Sequence, residues 1–404
     1  MTTFHEALRL ILDRALPLPP VRVPLAQALG LVAAEDILAL EPVPPFTNSA
    51  MDGFAVRAVD CAGPVRLPVL GEIPAGRASA PALESAAAYR IMTGAPMPTG
   101  ADTVVPVEEA KAGEGWVELN VPVRPGAHVR LAGEDIPAGG LVVPAGRVLR
   151  PAEIGVLAAI GQDQVPVRPR LKVAVITTGN ELVDAGERPG PGQIRDANIH
   201  SLAAQVRAAG AVPVCFPRVP DRREAVAEAL GHALAGAEVV LTNGGISVGD
   251  FDYIKAVLEE MGAEQVFWRV AQKPGGPLGL WRLRGRLVFG IPGNPVAAML
   301  MVEEFVRPAL RKMMGFSNLH RPERTGILAA PWRRHSADGK LILLRVRTRA
   351  RGQDLLAELT GPQGSGLLSS MMAADALALI PPDTLAIPAG GEVLLHLIDQ
   401  PEDH

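Results

Sequence analysis

The sequence predicts an α/β domain flanked by two β-rich regions, and three observations predict it. Between Leu171 and Met314, apolar runs suited to buried parallel strands alternate with helical stretches. From Glu41 to Gly146, turn dipeptides such as Asp52-Gly53, Gly63-Pro64 and Gly139-Gly140 separate short apolar runs. From Leu319 onward that texture returns, and Leu341–Arg349 alternates apolar and basic residues. With 42 glycines and 38 prolines among 404 residues, many turns and short strands are expected.

The elements follow in order. Phe4, Leu8, Ile11 and Leu12 share a helical face, interrupted by Glu6, Arg9, Asp13 and Arg14, so the first 16 residues read as an amphipathic helix. They have no cationic head or cleavage signature of a signal peptide. Residues 21–40 read as a short strand and a helical or extended piece. Thr103–Val107 and Leu141–Val143 are strand-like. Pro151 opens a helix through Ile160, because proline suits a first helical position. Gln162–Arg170, with Pro166 and Pro169, reads as a linker.

Leu171–Thr177 is a buried strand, Ile199–Ala209 a helix, Val212–Phe216 a strand and Arg222–Leu234 a helix with Asp221 at its N-cap. Glu238–Thr242 is a second buried strand, then a glycine loop, and Phe251–Met261 a helix. Arg286–Ile291 is a strand that runs through Pro292–Pro295 into a helix ending at Met314. Such alternation implies a doubly wound sheet. Asp338-Gly339 signals a hairpin turn in a C-terminal β-barrel or sandwich from residue 319 to 404.

Net charge −4 argues against a general phosphate-backbone binder, so no nucleic-acid partner is expected. Cys61 and Cys215 stand far apart, form no zinc pattern, and fit a reducing cytosol. No apolar run approaches a membrane span of ~18 residues. The eight histidines lack ligand spacing, and Trp116, Trp268, Trp281 and Trp332 read as packing anchors.

The local chemistry gathers at the carboxyl ends of the middle-domain strands, where open α/β sheets bind ligands. One strand ends in Thr177-Thr178-Gly179-Asn180-Glu181. Another ends in Asn243-Gly244-Gly245-Ile246-Ser247-Val248-Gly249-Asp250. Glycines let backbone N–H groups approach an anion, so the two loops together read as a phosphate cradle. Either loop alone also reads as a tight turn. Glu181, Asp221, Asp250 and Asp252 crowd the same edge, which suits a hard cation such as Mg²⁺ or donors on a heteroaromatic ring or sugar. Capping explains Asp221 and Asp250 as well; Glu181 and Asp252 have no such explanation. Asp52, Thr93 and Asp135 lie in segments that by themselves are only turns.

The segments NSAMDGFAV, RIMTGAPMPTGAD, AGEDI, TTGNELV, GQIRDAN, NGGISVGDFDY, KPGGP and IPGNPVAA occur in one order across nearly the whole chain. In that order the chain resembles the molybdopterin molybdenumtransferase family, that is, bacterial MoeA and the E domain of gephyrin. The resemblance implies an elongated homodimer with four domains per chain. These would be a MogA-like α/β molybdopterin-binding domain from residues 1–20 and 168–318, a small connecting domain from 21–40 and 140–167, an inserted β-rich domain over 41–139, and a C-terminal β-barrel over 319–404. It also implies a cytoplasmic enzyme of molybdenum cofactor biosynthesis. Adenylylated molybdopterin would lose AMP with Mg²⁺ assistance, and molybdenum would join the ligand's dithiolene sulfurs. The partners implied are the molybdopterin adenylyltransferase upstream and apo-molybdoenzymes or cofactor-modifying proteins downstream.

Carried over residue by residue, Asp52, Asp135, Glu181, Asp221 and Asp252 match the family's functional acids, with Glu181 and Asp221 given to ligand or Mg²⁺. Asp52 would reach the partner protomer's cleft. Thr93, Gly94, Thr178, Gly179, Gly244, Gly245, Ser247, Gly249 and Asp250 would bind molybdopterin or phosphate. Lys273, Pro292, Gly293, Asn294, Pro295, Arg345 and Ser365 would contact molybdate. Three departures stand out: Gly276 where the family often has a second lysine, Ala297 where a serine commonly follows PGNPV, and Asn180 where an acid is frequent. The first two remove a cation and a hydroxyl from the expected oxyanion end. Two other readings compete. One is a nucleotide-pyrophosphate hydrolase built on the same α/β domain, which would lack the NSAMDGFAV and MTGAP segments. The other is a non-catalytic carrier or scaffold, which would add a trimerising domain and long linker.

Overall fold

Alternation along the strand Lys172–Thr177 decides how the centre of the molecule is built. In a computed structural model that describes residues 1–77, 79–120, 122–245 and 253–400, Val173 and Val175 face one side of a sheet and Ala174 and Ile176 the other. The first side packs on helices Phe4–Arg14, Asn198–Ala208 and Pro295–Met301. The second packs on Arg223–Gly236 and Tyr253–Glu260. Apolar burial on both faces explains why these strands read as continuous hydrophobic runs.

The sheet has six strands in the order Val212–Cys215, Lys172–Thr177, Val239–Asn243, Arg286–Ile291, Gly279–Leu283, Glu264–Trp268. The first four are parallel, Gly279–Leu283 runs opposite to them, and Glu264–Trp268, antiparallel to Gly279–Leu283, runs with the first four. The chain leaves Lys172–Thr177 to one side and returns to Val239–Asn243 on the other. Strand order therefore reverses between these two neighbours, where a ligand crevice opens.

The N-terminal helix belongs to this unit. Thr3 caps it by accepting from the Glu6 N–H, and Phe4, Ala7 and Ile11 are buried. Phe4 packs its ring 4.9 Å from that of Phe305, and Lys312 donates to the Leu12 carbonyl at 2.8 Å. Burying each large side chain contributes about 1.5–3 kcal/mol. The helix after Pro295 is not uniform: Val302–Val306 is a π turn between Pro295–Met301 and Arg307–Met313. Pro308 has no N–H to donate, and the wider turn ends two residues before it.

Gln162–Arg170 is not a linker. Gln164–Arg168 is the central strand of a three-stranded sheet, between Val21–Pro24 and Val32–Ala33. Pro166 serves through its carbonyl, which accepts from Ala34 N–H, so its missing donor costs nothing there. Val165 and Val167 join Ile37, Val143, Leu149 and Leu157 in a small separate core. The stretch from residue 48 to 119 contains a six-stranded sheet in which Gly53–Val56, beside the edge strand Thr103–Pro106, is buried. Gly53 has no room for a side chain, because a Cβ would sit 2.1 Å from the Val105 carbonyl oxygen.

C-terminally, Leu341–Arg351, Asp354–Leu359, Glu323–Leu328, Glu392–Leu397 and Ala376–Ile380 pair in a ring, a closed five-stranded barrel. Closure leaves no unpaired edge. Gln272–Lys273 adds a parallel pairing from the α/β unit to Leu341–Ile342. Gly339 makes the expected left-handed turn, but no hairpin forms: Trp332–Arg333 pairs with Ala386–Ile387 instead of Leu341–Arg351.

A polar cluster seals the barrel to the α/β unit. Glu303 and Glu304 of the π turn are buried; Glu303 lies 2.6 Å from Arg321, and Glu304 accepts from the ring of His396 at 3.0 Å. Glu323 lies 3.4 Å from the other ring nitrogen. Burial alone would lower the His396 pKa, but the Glu304 hydrogen bond and charge, helped by Glu323, raise it above 6.5. Nearby His320 is lowered, chiefly by burial. The His396⁺–Glu304⁻ contribution is therefore complete below about pH 6.5 and lost as pH rises through the raised value. Comparing thermal melts of wild type and His396→Gln should show a stability gap that closes from about pH 6.5 upward; a gap independent of pH would remove the ion pair as its cause.

Candidate functional site

The reversal in strand order places two loops side by side. Thr178 donates its N–H to the Asn243 carbonyl, and Gly244 donates to the Ile291 carbonyl, so three strand ends are stitched at one edge. Gly244 has φ +90°, and a Cβ there would lie 2.7 Å from the Thr178 carbonyl oxygen. Only glycine permits that approach. The Thr178 hydroxyl lies beneath Gly244 and Gly245, buried and without a hydrogen-bond partner among the described residues.

Two cavities meet at these glycines. The smaller, about 300 Å³, is lined by Thr178, Gly179, Glu181, Asp196, Asp221, Asn243 and Pro295 among others. The larger, about 980 Å³, lies between the α/β unit and the barrel and is lined by Lys273, Pro292, Asn294, Arg345, Gln363 and Ser365 among others. Gly244, Gly245 and Gly293 line both. Among the described residues, the wall between them is thus glycine backbone.

Their charges are opposite in sign. Among the described residues the smaller cavity carries three carboxylates, Glu181, Asp196 and Asp221, against Arg195 alone. Among them the larger carries Lys273, Arg333, Arg334 and Arg345 against Asp338 alone. Asp338 is already engaged, 3.6 Å from Arg334 and 3.4 Å from Lys340.

Asp221 is not a helix cap; that position belongs to Arg222. The loop after Pro220 turns Asp221 toward the first strand end instead. Its Oδ2 accepts from Asn180 N–H at 3.2 Å, and Asn180 Oδ1 accepts from Asp221 N–H at 3.2 Å. Asn180 thus serves as a neutral clamp where an acid is frequent. Glu181 folds back over Gly179, where a Cβ would come within 2.7 Å of its carboxylate. Among the described residues no group of three His, Cys, Asp or Glu is arranged to hold a metal. Two carboxylates facing a phosphate-sized cavity nevertheless match Mg²⁺, which keeps several waters and takes one or two carboxylates plus substrate phosphate.

Arg345 is fully buried. It donates from Nε to Ser370 Oγ at 3.1 Å and from Nη2 to the Gly364 carbonyl at 3.1 Å, while Nη1 is buried without a partner among the described residues. Burial lowers its pKa. Arg345 lines the cationic cavity, and a buried guanidinium without a counter-charge among the described residues favours an anion. The Ser365 carbonyl accepts from Val296 N–H at 3.1 Å, tying the barrel to the Pro292–Pro295 loop.

Asp52, Thr93, Gly94 and Asp135 line neither cavity. Asp52 and Thr93 do meet each other: Asp52 Oδ1 accepts from Thr93 N–H at 2.6 Å and from its hydroxyl at 2.7 Å. These bonds, the backbone one foremost, lower the Asp52 pKa. Gly94 makes the left-handed turn at φ +79° that brings Thr93 there. Ser247, Gly249, Asp250 and Asp252 lie outside the described residues. The structure adds residues the sequence reading did not single out. Asp196, buried, accepts from the Thr177 hydroxyl at 2.5 Å, and Asn198 donates to Asn243 Oδ1 at 2.8 Å and the Gly293 carbonyl at 2.7 Å. Their only sequence signal is GQIRDAN. Trp332, expected only as a packing anchor, lines the larger cavity together with Arg333 and His335, for which spacing offered no signal.

Comparison with known proteins places this geometry. Molybdopterin molybdenumtransferase 2 of Mycobacterium tuberculosis is 38% identical over 405 residues, spanning 97% of this chain and 98% of its own. The chain belongs to the molybdopterin molybdenumtransferase family. A Nostoc molybdopterin molybdenumtransferase is 35% identical, covering 92% of this chain and 87% of its own. The family models matched are the MoeA N-terminal region (domain I and II) over residues 2–161, a probable molybdopterin binding domain over 174–312, and the MoeA C-terminal region (domain IV) over 326–398. The crystal structure of a molybdopterin biosynthesis MoeA protein from Pyrococcus horikosii superposes with TM-score 0.86 at 31% identity, covering 99% of this chain and all of that one. Two of the departures from the family pattern sit at the larger cavity: Ala297 lines it, and Gly276 stands in the same KPGGP stretch as its Lys273 and Gly275. A Cβ at Gly276 would meet only ordinary contacts, the nearest 3.5 Å away, so the absent lysine is not excluded by space.

Proposed function

We propose that this chain inserts molybdate into adenylylated molybdopterin, releasing AMP, as a cytoplasmic homodimer in molybdenum cofactor biosynthesis. The observation that carries the reading is the pair of cavities of opposite charge joined through one glycine wall. An acidic cavity beside glycine loops suits a pyrophosphate with Mg²⁺, and the basic one suits an oxyanion. The two reactants are thereby brought together without either site diluting the other's charge.

Glu181 and Asp221 would hold Mg²⁺, with the Thr178–Gly179 and Gly244–Gly245 backbone cradling the phosphates. Bound there, the ion would offset charge building on the pyrophosphate as it breaks. Cleavage consumes one water and yields AMP and a phosphate monoester. Lys273, Arg345, Ser365 and the Pro292–Pro295 loop would hold molybdate in the larger cavity. There each Mo–S bond to the dithiolene replaces a Mo–O bond, and the displaced oxygen leaves, protonated, as water. Soft sulfur donors come from the ligand, so the protein needs no clustered cysteines.

The division into residues 1–20 with 168–318, 21–40 with 140–167, 41–139 and 319–404 is part of this reading. It is supported by separate cores around Val165, Phe54 and Val346. The dimer is supported by exposed Leu38 and Leu141, directly paired on one small sheet, with Leu40 beside them. In that dimer, Asp52, Thr93, Gly94 and Asp135 would complete the partner protomer's cleft. Partners would be the adenylylating enzyme upstream and cofactor-modifying proteins or apo-molybdoenzymes downstream. The test is a turnover assay with adenylylated molybdopterin, Mg²⁺ and molybdate. AMP release that depends on molybdate is expected. Release of equal rate without molybdate would favour a pyrophosphate hydrolase, and binding without release a carrier.

A further inference from the structure

The proposed reaction needs the two cavities to act in sequence, and one side chain spans the junction between them. Asn198 is the first residue of the helix Asn198–Ala208. Its Nδ2 donates both its hydrogens, one to Asn243 Oδ1 at 2.8 Å and one to the Gly293 carbonyl at 2.7 Å. Asn243 in turn donates from Nδ2 to the Pro292 carbonyl at 2.7 Å. One amide pair thus fastens the loop after Val239–Asn243 to the loop after Arg286–Ile291.

The mooring of Asn198 is itself fixed. Asp196 accepts from Thr177 hydroxyl and from Ile199 N–H at 3.0 Å, and Ile194 N–H donates to the Glu181 carbonyl at 2.8 Å. The segment that carries Asn198 therefore moves with Thr177 and Glu181, on the acidic side. Its two acceptors sit next to Gly244 and on Gly293, the residues that line both cavities. The Asn198 Oδ1 is buried with no partner among the described residues. An unsatisfied buried carbonyl carries a desolvation cost, so the amide is kept for its two donors rather than its acceptor.

We propose that Asn198 is a positioning residue that couples the two cavities: occupancy of the acidic cavity sets, through Asn198 and Asn243, the position of the Pro292–Pro295 loop in the basic one. The proposal rests on the two-cavity reading above. Coupling of this kind is reciprocal, so each ligand must alter the other's affinity by the same factor.

Calorimetric titration of AMP, with Mg²⁺ present and with or without saturating molybdate, measures that factor directly. In wild type, molybdate is expected to change AMP affinity by about fivefold or more. Asn198 itself lines the acidic cavity, so the readout is the ratio of AMP affinities with and without molybdate, not AMP affinity alone. Asn198→Asp keeps the shape but turns a carboxylate on two acceptors, and Asn198→Ala removes both bonds without adding charge; in both, that ratio should collapse to under about twofold. The proposal is overturned if wild type shows no coupling or if both variants retain it. It is also overturned if both variants lose cooperative melting, which would make Asn198 merely structural. Turnover of adenylylated molybdopterin is a separate readout. Its absence in wild type would sink the transferase reading, whereas the titration reads the linkage alone.

Discussion

Replacing Glu181 with Gln is expected to lower molybdate-dependent AMP release by about two to three orders of magnitude, with folding unchanged. The side chain is exposed on the cavity, and it packs over Gly179 without any salt bridge among the described residues, so a neutral amide fits the same space. What is lost is one of two negative charges that would hold a cation against the breaking pyrophosphate. Asp221→Asn should act in the same direction, with its amide oxygen still able to accept from Asn180 N–H. Both variants should need more Mg²⁺ for half-maximal rate. If both keep turnover within about threefold of wild type at low Mg²⁺, the acids have no part in the chemistry.

Arg345→Met should separate stability from function. The guanidinium is fully buried, has two hydrogen bonds and one orphaned donor, and meets no carboxylate within salt-bridge distance among the described residues. A methionine fills similar volume without a buried charge to desolvate, so the unliganded variant should melt at the wild-type temperature or above it. Molybdate should raise the melting point of wild type by binding the folded state, and should raise that of the variant hardly at all. Half-saturating molybdate in turnover should rise by about 100-fold, the loss of one strong charge-assisted contact to the anion. A variant that melts well below wild type yet keeps its molybdate-induced shift would make Arg345 a structural residue only. Sites of this kind pay for affinity with stability, because the charge is uncompensated until the anion arrives.

Much of the α/β unit was legible in the chain. Arg286–Ile291 is bounded as its apolar run suggested, and Lys172–Thr177 and Val239–Asn243 are within a residue of it. Continuous apolar runs of five or six residues leave few alternatives to a strand buried on both faces. Prolines misled where burial outweighed breaking: Pro166 sits inside a paired strand because only its carbonyl is used. Asp221 was ambiguous because an acid before a helix is both a cap and a ligand, and only the path of the loop after Pro220 distinguishes them. The wall of the larger cavity formed by residues 332–336 was illegible, since that stretch has no periodicity and comes to share the cavity with Lys273 only in the folded chain.

By itself the sequence determined the alternation of strands and helices, the glycine loops at the strand ends, and the ordered motifs that mark the family. These are local properties, written in side-chain spacing and in the backbone freedom of single residues. Only the tertiary structure decided that Glu181 and Asp221 share one cavity, that Lys273 and Arg345 share another, and that three glycines divide them. Those meetings join residues 40 positions apart (Glu181 and Asp221) and 72 positions apart (Lys273 and Arg345). They depend on which strands neighbour each other and on where the barrel docks, which no local spacing records.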